Sequence, residues 1–399
     1  MLRIRWWQVG ALCPGLMALV LVCDTLGRFV ASDLIAFRTW EAALEQGLQL
    51  VPGHFKPKVE VRVHGAYGDL ANMGNMRFMR EYHDEELRTD ELGFRNSYDI
   101  FDTQYGGVVL GDSFVVASSL PEGETLPIRL SQIANAHFYN AGGSGGLLMP
   151  DEAMTLAATL KMQPGVVVCE LLERFARLSP PSGKKKTIVP FWAKYLQHAA
   201  PGGAADPIVP WLVSARVKLS PENSPMTVLS ERLVKRFKNG KLQPNTYANR
   251  VVHATLQNGD QMLFLPEDLE PVGDVNKISA AWAKYFEWYN NSLKQKGWKL
   301  VVCLVPNKYT VYGPIIEPPA EALPGVALND RIAEQLESAG ITVVNLTHHL
   351  RTQAAEGLAA RKYVYWRDDT HWNAVGIDVA AEDLRKYVTN HDVPDARVD

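Results

Sequence analysis

From residue 106 onward, short apolar segments alternate with longer amphipathic ones, and this alternation constrains the fold more than any other feature. Apolar runs rich in β-branched residues predict buried strands, whereas apolar residues three or four positions apart predict helices. Strands that alternate with helices predict an α/β fold, in which helices cover both faces of a parallel sheet. The predicted strands are Gly107–Leu110, His137–Asn140, Val166–Glu170, Leu300–Val305 and Ile341–Val344.

Residues 176–275 interrupt this alternation with proline-rich pieces and a run of three lysines at 184–186. Within them, the Asn258-Gly259 pair lies at the centre of the apolar segment Ala254–Leu265. An Asn-Gly pair between apolar runs is a strong signal for a two-residue hairpin. We therefore predict an inserted subdomain over 176–275 that lies over the carboxyl edge of the sheet.

The N-terminus contains an apolar stretch behind two basic residues. Arg3 and Arg5 precede Trp6–Cys23, which carries no formal charge over 18 residues. About 20 apolar residues cross a bilayer, and ~17 lie near the lower limit, so residues 1–24 are predicted to form a transmembrane anchor. Basic residues before the span predict that the rest of the chain is exported. A cleaved signal peptide is the alternative, and residues 25–87 are predicted to be a juxtamembrane linker.

Composition argues against several classes of ligand. A formal net charge of −3 gives no reason to expect a nucleic-acid partner. The four cysteines include no Cys-x-x-Cys pair, and the sequence has no Gly-Lys-Ser/Thr phosphate loop. We therefore predict neither a metal nor a cofactor. Cys169 and Cys303 each lie inside a predicted strand, which favours buried free thiols.

Ser113 is the predicted nucleophile. It follows the apolar run Val108–Leu110 and Gly111, which places it at the carboxyl edge of the sheet, where open α/β sheets bind ligands. A serine hydroxyl needs a base within hydrogen-bond reach. We predict that His371 is this base, because carboxylates precede it in sequence; the pair 348–349 is the alternative.

Two segments resemble the SGNH/GDSL hydrolases. Gly111–Phe114 is similar to their first block, and Asp368–Asn373 is similar to their last. The last block is closer to the alginate-type polysaccharide O-acetyltransferases, whose motif is Asp-x-His-Trp, and Thr89–Asn96 resembles the segment before the serine block. The resemblance implies a three-layer, flavodoxin-like SGNH domain over 88–175 and 276–399. In the alginate enzymes the Asp-x-His block precedes the serine, whereas here it follows.

The resemblance also implies roles for individual residues. Asp369 fits the Asp-x-His pattern of the acetyltransferases, and Asp368 fits the Asp-x-x-His pattern of ordinary esterases, so both remain candidates for the third catalytic group. The oxyanion hole would use the backbone N–H of Ser113 with the glycine loop, at Gly143 and Gly145. The asparagine of the family's third block is missing.

A further set of residues is predicted to contact substrate. They are Glu173, Arg174, Lys308, Tyr309, Trp372 and Asn373. A Glu–Arg pair that holds the strand end is the alternative for the first two residues, and packing of the loop is the alternative for Trp372.

These observations predict an SGNH-type O-acetyltransferase anchored in the inner membrane, with its catalytic domain in the periplasm. Ser113 would accept an acetyl group and pass it to a polysaccharide hydroxyl in exopolysaccharide biosynthesis. The resemblance implies a separate membrane acyltransferase as a source of the acetyl group. A carbohydrate or lipid acetyl-esterase with the same triad is one alternative, and a non-catalytic polysaccharide-binding or assembly component is the other.

Overall fold

The computed structural model describes most of the region that carries the predicted motifs. The described residues are 15–26, 40, 43–44, 52–73, 76–97, 99–143, 147–181, 237–238, 241–242, 251–321 and 323–389. Most of the predicted insertion, along with Gly145, lies outside these residues. The domain boundaries therefore stay predictions.

The strands among the described residues form one large parallel sheet and three small antiparallel ones. They are β1 Glu60–Ala66, β2 His83–Arg88, β3 Tyr105–Gly111, β4 His137–Gly142, β5 Val166–Leu172, β6 Phe237–Lys238, β7 Lys241–Leu242, β8 Val252–Leu256, β9 Gln261–Phe264, β10 Lys299–Val305, β11 Ile316–Glu317 and β12 Thr342–Asn345.

Five strands build the central sheet in the order β12-β10-β5-β3-β4, and every pair in it is parallel. The prediction of an α/β fold around a parallel sheet is confirmed. Along the chain this order is 2-1-3-4-5, so the direction of winding reverses at β3. Ligands bind at such a switch point in open α/β sheets, and β3 is the strand that leads to Ser113.

The helices include ten α-helices and four short 3-10 helices with defined bounds. The α-helices are Asp69–Met73, Ser113–Val116, Leu126–Ala134, Pro150–Thr159, Glu173–Ala176, Val275–Lys294, Lys308–Tyr312, Pro324–Ser338, Thr347–Gly357 and Ala374–Val388. The 3-10 helices are Arg77–Met79, Glu122–Glu124, Pro266–Asp268 and Gly313–Ile315.

Two buried apolar clusters lie on opposite faces of the central sheet, because alternate side chains of a strand point to opposite faces. Val109 belongs to the cluster that includes apolar residues of the helices Leu126–Ala134 and Ala374–Val388. Val108 belongs to the other cluster, with apolar residues of the helices Val275–Lys294 and Pro324–Ser338. The chain therefore forms three layers, with the sheet in the middle.

The predicted hairpin at Asn258-Gly259 is present. Strands β8 and β9 pair on either side of the turn, and Gly259 has φ +85°, a left-handed conformation that glycine adopts without strain. Strand β11 extends this small sheet. The N–H of Leu263 donates to the carbonyl of Arg367 at 2.9 Å, which joins the hairpin to the segment that carries His371.

Residues 52–73 and 76–87, which lie in the predicted linker, form ordered structure against residues 367–373, the segment that carries His371 and that we call the catalytic segment. Strands β1 and β2 pair antiparallel, and the helix Asp69–Met73 lies between them in sequence. The sequence did not predict this pair, because EVRVHGA separates its valines with polar residues and HDEELR is almost entirely polar. Such strands lack the continuous apolar run that marks a buried strand.

Residues 15–26 are helical, and none of the helices in the described part of the chain has the length and apolar character that crossing a membrane requires. The first nine residues of the predicted span, 6–14, lie outside the described residues.

Candidate active site

Ser113 lies in a tight turn at the end of β3. Asp112 caps the short helix Ser113–Val116, because its Oδ1 atom accepts a hydrogen bond from the N–H of Phe114 at 2.8 Å. Gly111 is required before this turn. A Cβ atom there would lie 2.4 Å from a methyl carbon of Val115 and 2.5 Å from Oε2 of Glu170. The turn leaves Ser113 only partly buried.

A hydrogen-bonded chain connects Ser113 to His371 and Asp369, which are more than 250 residues away in sequence. Nε2 of His371 lies 2.9 Å from Oγ of Ser113, and Nδ1 lies 2.6 Å from Oδ1 of Asp369. An ionised carboxylate only accepts hydrogen bonds, so the proton of the neutral imidazole lies on Nδ1. Nε2 is then free to accept the proton of the Ser113 hydroxyl, which is what a general base requires.

The carboxylate of Asp369 is held in its charged form. Burial alone would raise its pKa, but the charge of His371 and the hydrogen bonds from the imidazole and from backbone N–H groups hold the pKa well below its usual range. Its Oδ2 atom accepts from the hydroxyl of Ser119 at 2.8 Å and from the N–H of Asp69 at 3.0 Å. Neither of these donors was predicted from the sequence.

Arg95 orders the loop that carries Ser119. Its guanidinium is buried and donates to the carbonyls of Val116, Ala117 and Leu120 at 2.7–2.9 Å. Ala117 and Ser119 have φ values of 60° and 67°, which are strained conformations for residues other than glycine. Arg95 belongs to the segment that resembles the family's lead-in, so the structure gives that segment a physical role.

Asp368 points away from the imidazole. Its Oδ2 atom accepts from the N–H groups of Gly68 and Glu81, both at 2.8 Å, and its Oδ1 atom is buried without a partner among the described residues. Burial raises the pKa of Asp368 to about 6. Of the two carboxylates left open by the sequence, the structure brings Asp369 to His371. The other candidate bases, His348 and His349, instead pair with Asp330 and Asp383.

Lys308 is buried beneath the catalytic segment. Its ammonium donates to the backbone carbonyls of Arg367 and Asp369, both at 2.9 Å. Burial lowers its pKa to about 8, although the nearby carboxylates of Asp368 and Asp369 act in the opposite direction. The predicted contact of Lys308 with substrate does not agree with this position, because only 1% of the residue is exposed.

We expect Lys308→Met to lower kcat for an acetyl ester by on the order of 10²-fold while KM changes little, because displacement of the Asp369 backbone misplaces the base. Lys299→Met is the matched control, since Lys299 is an exposed lysine at the start of β10. Steady-state kinetics distinguish a role of Lys308 in positioning the Asp369 backbone from a role in binding substrate. A rise in KM with unchanged kcat would restore the substrate-binding role to Lys308.

The oxyanion hole is only partly described. The N–H of Ser113 donates no hydrogen bond to another described residue, so it is available to an oxyanion. The expectation for Gly143 is wrong as far as its N–H is concerned, because that group donates to the carbonyl of Gly111 at 3.0 Å. The predicted donor Gly145 lies outside the described residues. Asn140 shapes the start of this loop by accepting from the N–H of Gly142 at 2.9 Å.

Trp372 and Asn373 support the catalytic segment. The indole of Trp372 is fully buried and donates to the carbonyl of Phe114 at 3.1 Å, which favours packing over contact with a sugar. The side chain of Asn373 caps the last helix by accepting from the N–H of Gly376, and it also donates to the carbonyl of Tyr363. Each of these contacts ties His371 to a neighbouring element.

Glu173 and Arg174 contact neighbouring segments separately and do not pair with each other. The buried carboxylate of Glu173 accepts from the backbone and side chain of Asn307 and from Arg177. Arg174 pairs with the buried Asp268, which follows the β8–β9 hairpin. Both side chains thus have structural roles at the edge of the site, but the predicted Glu–Arg pair between them does not form. Tyr309 is partly buried and packs edge-to-face on Phe264.

Two buried carboxyl groups, of Asp112 and Glu170, lie next to Ser113. Oε2 of Glu170 accepts from the N–H of Asp112 at 3.1 Å, while Oε1 of Glu170 and Oδ2 of Asp112 have no hydrogen-bond partner among the described residues. Burial raises the pKa of both groups, and that of Glu170 most strongly, because Asp112 adds a like charge. Burial and the like charges thus both disfavour ionisation of the two carboxyl groups at once.

Asp69, Asp369 and His371 lie close enough together to share a metal ion, but their atoms are already engaged. Oxygens of Asp69 accept from the N–H and the hydroxyl of Thr370, both at 2.8 Å, and those of Asp369 accept the donors described above. Since Nδ1 of His371 carries a proton, it cannot donate a lone pair to a metal. The cluster fits a hydrogen-bonded triad better than a metal site.

Comparison with known proteins finds a family match over the C-terminal part of the chain. Residues 256–397 match the family described as the SGNH hydrolase-like domain of acetyltransferase AlgX. This part of the chain is therefore similar to that family. The predicted resemblance to the alginate-type acetyltransferases is confirmed. The matched range contains Asp369 and His371, whereas Ser113 lies before it.

Two relatives carry acetylation in their names. The probable alginate O-acetylase AlgJ of Pseudomonas syringae pv. tomato is 29% identical over 125 residues, which are 31% of each chain. The protein of the same name from Pseudomonas putida is 28% identical over 130 residues, 33% of this chain and 32% of the relative. The matched stretches therefore span about a third of these relatives.

A solved structure from Bacteroides ovatus is described as a putative GDSL-like lipase. Its alignment covers 76% of this chain and 65% of the chain in that structure. The sequence identity is 15% and the TM-score is 0.29.

Proposed function

We propose that the protein is an O-acetyltransferase that moves acetyl groups onto a polysaccharide through an acyl-enzyme on Ser113. The observation that carries the proposal is the hydrogen-bonded chain from Ser113 through His371 to Asp369. The similarity to the acetyltransferase family supports transfer over simple hydrolysis. The names of the two relatives support a polysaccharide as the acceptor.

The geometry supports the following first half-reaction. Oγ of Ser113 attacks the carbonyl carbon of the acetyl donor while Nε2 of His371 takes the hydroxyl proton. The N–H of Ser113 can donate to the oxyanion that forms, and Asp369 stabilises the imidazolium through its bond to Nδ1. When the intermediate collapses, the donor leaves with the proton from His371 and the acetyl group stays on Ser113.

The second half-reaction reverses these roles. Nε2 of His371 removes the proton of a sugar hydroxyl, whose oxygen attacks the acetyl-serine carbonyl. Collapse of this second intermediate forms the sugar ester, and the serine oxygen takes the proton back from His371. An acetyl-esterase would use water in place of the sugar with the same residues. A non-catalytic polysaccharide-binding or assembly component would not need the chain of hydrogen bonds.

The test is acetyl transfer with a defined donor and several acceptors. Purified protein is incubated with p-nitrophenyl acetate and neutral or acidic oligosaccharides, and mass spectrometry measures acetylated product. We expect products 42 Da heavier per acetyl group, and none from Ser113→Ala protein. Hydrolysis with no transfer to any acceptor would favour the esterase. Full restoration of function in a deletion strain by Ser113→Ala would favour the non-catalytic component.

We also propose that the N-terminal segment anchors the protein in the inner membrane, with the catalytic domain in the periplasm and acetyl groups delivered by a membrane acyltransferase. Arg3, Arg5 and the apolar run Trp6–Cys23 support this topology. A reporter enzyme that is active only outside the cytoplasm should be active when fused after residue 60. The same fusion without residues 1–24 is the control. A full-length protein recovered as a soluble cytoplasmic species would contradict the proposal.

A further inference from the structure

A group of aromatic side chains beside the active site remains exposed to solvent. Phe78 is 75% exposed and Tyr82 is 64% exposed. The Tyr67 ring lies edge-on to Tyr82 with ring centres 5.8 Å apart, and Phe78 lies edge-on to His253 at 6.5 Å. We call these four residues together with Arg80 the aromatic surface. Exposed apolar groups gathered in one place mark an interaction site more often than isolated ones do.

Phe78 and Tyr82 are more exposed than any other phenylalanine, tyrosine or tryptophan in the described part of the chain. Next come Trp288 at 46%, and Phe175 and Tyr387, both at 41%. Burial of an aromatic side chain stabilises a fold by a few kcal/mol, so leaving two of them in water forgoes a substantial gain. A partner that covers these two side chains would gain the free energy of their burial.

Arg80 gives the aromatic surface a positive charge. Its guanidinium carbon lies 3.9 Å from the centre of the Tyr67 ring, and no described carboxylate forms an ion pair with it. Nearby Arg367, by contrast, pairs with Glu81. A guanidinium that is held on a ring and lacks an acidic partner is well placed to bind a carboxylate of a ligand.

The aromatic surface is attached directly to the catalytic segment. The N–H groups of Gly68 and Glu81, each adjacent in sequence to a residue of the surface, both donate to Oδ2 of Asp368 at 2.8 Å. The N–H of Asp69 donates to Asp369 at 3.0 Å. A Cβ atom on Gly68 would lie 2.1 Å from the carbonyl oxygen of Asp368, so this close approach requires glycine. These bonds fix the surface relative to His371.

We propose that the aromatic surface binds the acceptor, a polysaccharide whose sugars carry carboxylates; this inference rests on the proposed transferase function. A sugar ring presents an apolar C–H face that can pack on Phe78 and Tyr82 while its hydroxyl edge stays in water. A carboxylate on the same or the next sugar pairs with Arg80. A polymer bound there would lie beside the segment that carries Asp368 and His371.

The experiment measures binding by calorimetry in the Ser113→Ala background, so that no chemistry takes place. The probes are an oligouronate of about ten sugars and the same oligomer with its carboxylates reduced to alcohols. We expect Phe78→Ala and Tyr82→Ala each to weaken oligouronate binding about tenfold, as truncation of an interface aromatic commonly does. Arg80→Met should weaken oligouronate binding to a similar extent and leave binding of the reduced oligomer unchanged.

Trp288→Ala and Tyr387→Ala are the matched controls, because both are exposed aromatics on other helices. They should bind both probes as the parent protein does, and thermal melting checks the fold of every variant. Oligouronate binding that persists in Phe78→Ala/Tyr82→Ala protein would overturn the inference, as would the absence of binding to the parent. Binding of anionic phospholipid vesicles that the same variants abolish would assign the surface to a membrane instead.

The outcome separates this inference from the proposed function. Binding that depends on the aromatic surface, without any acetyl transfer by the unmodified protein, would contradict the transferase proposal alone. Suppose instead that the unmodified protein transfers acetyl groups but that substitution of Phe78, Tyr82 or Arg80 does not change binding. This result would contradict only the role inferred for the aromatic surface.

Discussion

Ser113→Ala and His371→Ala proteins are each expected to lose acetyl-ester turnover by on the order of 10⁴-fold or more, with p-nitrophenyl acetate as substrate. The reason is the 2.9 Å contact between Oγ of Ser113 and Nε2 of His371, which makes nucleophile and base one unit. Removal of either side chain prevents formation of the alkoxide. The double variant should therefore be hardly slower than either single variant.

The control for His371 is His349→Ala, since His349 is partly exposed and pairs with Asp383 away from the site. The control for Ser113 is Ser118→Ala, because Ser118 lies on the same loop and its hydroxyl has no hydrogen-bond partner among the described residues. Both controls should retain most of the turnover. Retention of more than about a tenth of the activity by His371→Ala protein, under 1.4 kcal/mol in barrier, would show that His371 is not the base.

The sequence predicts the central sheet and the nucleophile because both depend on local patterns. β3 is a continuous apolar run that ends in Gly111, and its place in the sheet follows from the alternation of strands and helices. Ser113 follows immediately, so its position at the carboxyl edge needs no long-range information. His371 could be assigned because a carboxylate lies within three residues and a helix follows.

The groups that surround Asp369 could not be found in this way. The N–H of Asp69 is a backbone donor, and any residue except proline provides one, so its identity carries no signal. Ser119 reaches the carboxylate only because Arg95 holds the loop in a strained conformation. Lys308 was predicted to contact substrate because it follows β10 at the carboxyl edge of the sheet. Its side chain instead points inward and donates to backbone carbonyls.

Asp369→Asn is expected to lower turnover by on the order of 10⁴-fold, because the carboxylate fixes the imidazole tautomer. Oδ1 of Asp369 accepts from both the backbone N–H and Nδ1 of His371, and Oδ2 accepts from Ser119 and Asp69. An asparagine has one acceptor oxygen and one NH₂ group, so its NH₂ group must face either the two donors of His371 or the donors of Ser119 and Asp69. If the NH₂ group faces His371, Nδ1 must accept and Nε2 then carries the proton.

Asp368→Asn is the matched comparison and is expected to cost less than about tenfold, or 1.4 kcal/mol. The amide oxygen can accept from Gly68 and Glu81 as Oδ2 does, and the NH₂ group then occupies the place of the buried, unpartnered Oδ1 atom. Turnover of p-nitrophenyl acetate by both variants decides whether Asp369, in the Asp-x-His spacing, or Asp368, in the Asp-x-x-His spacing, is the third catalytic group. A mild Asp369→Asn with a severe Asp368→Asn would mean that the Asp-x-x-His geometry of ordinary esterases operates in solution, which would also weaken the analogy with the acetyltransferases.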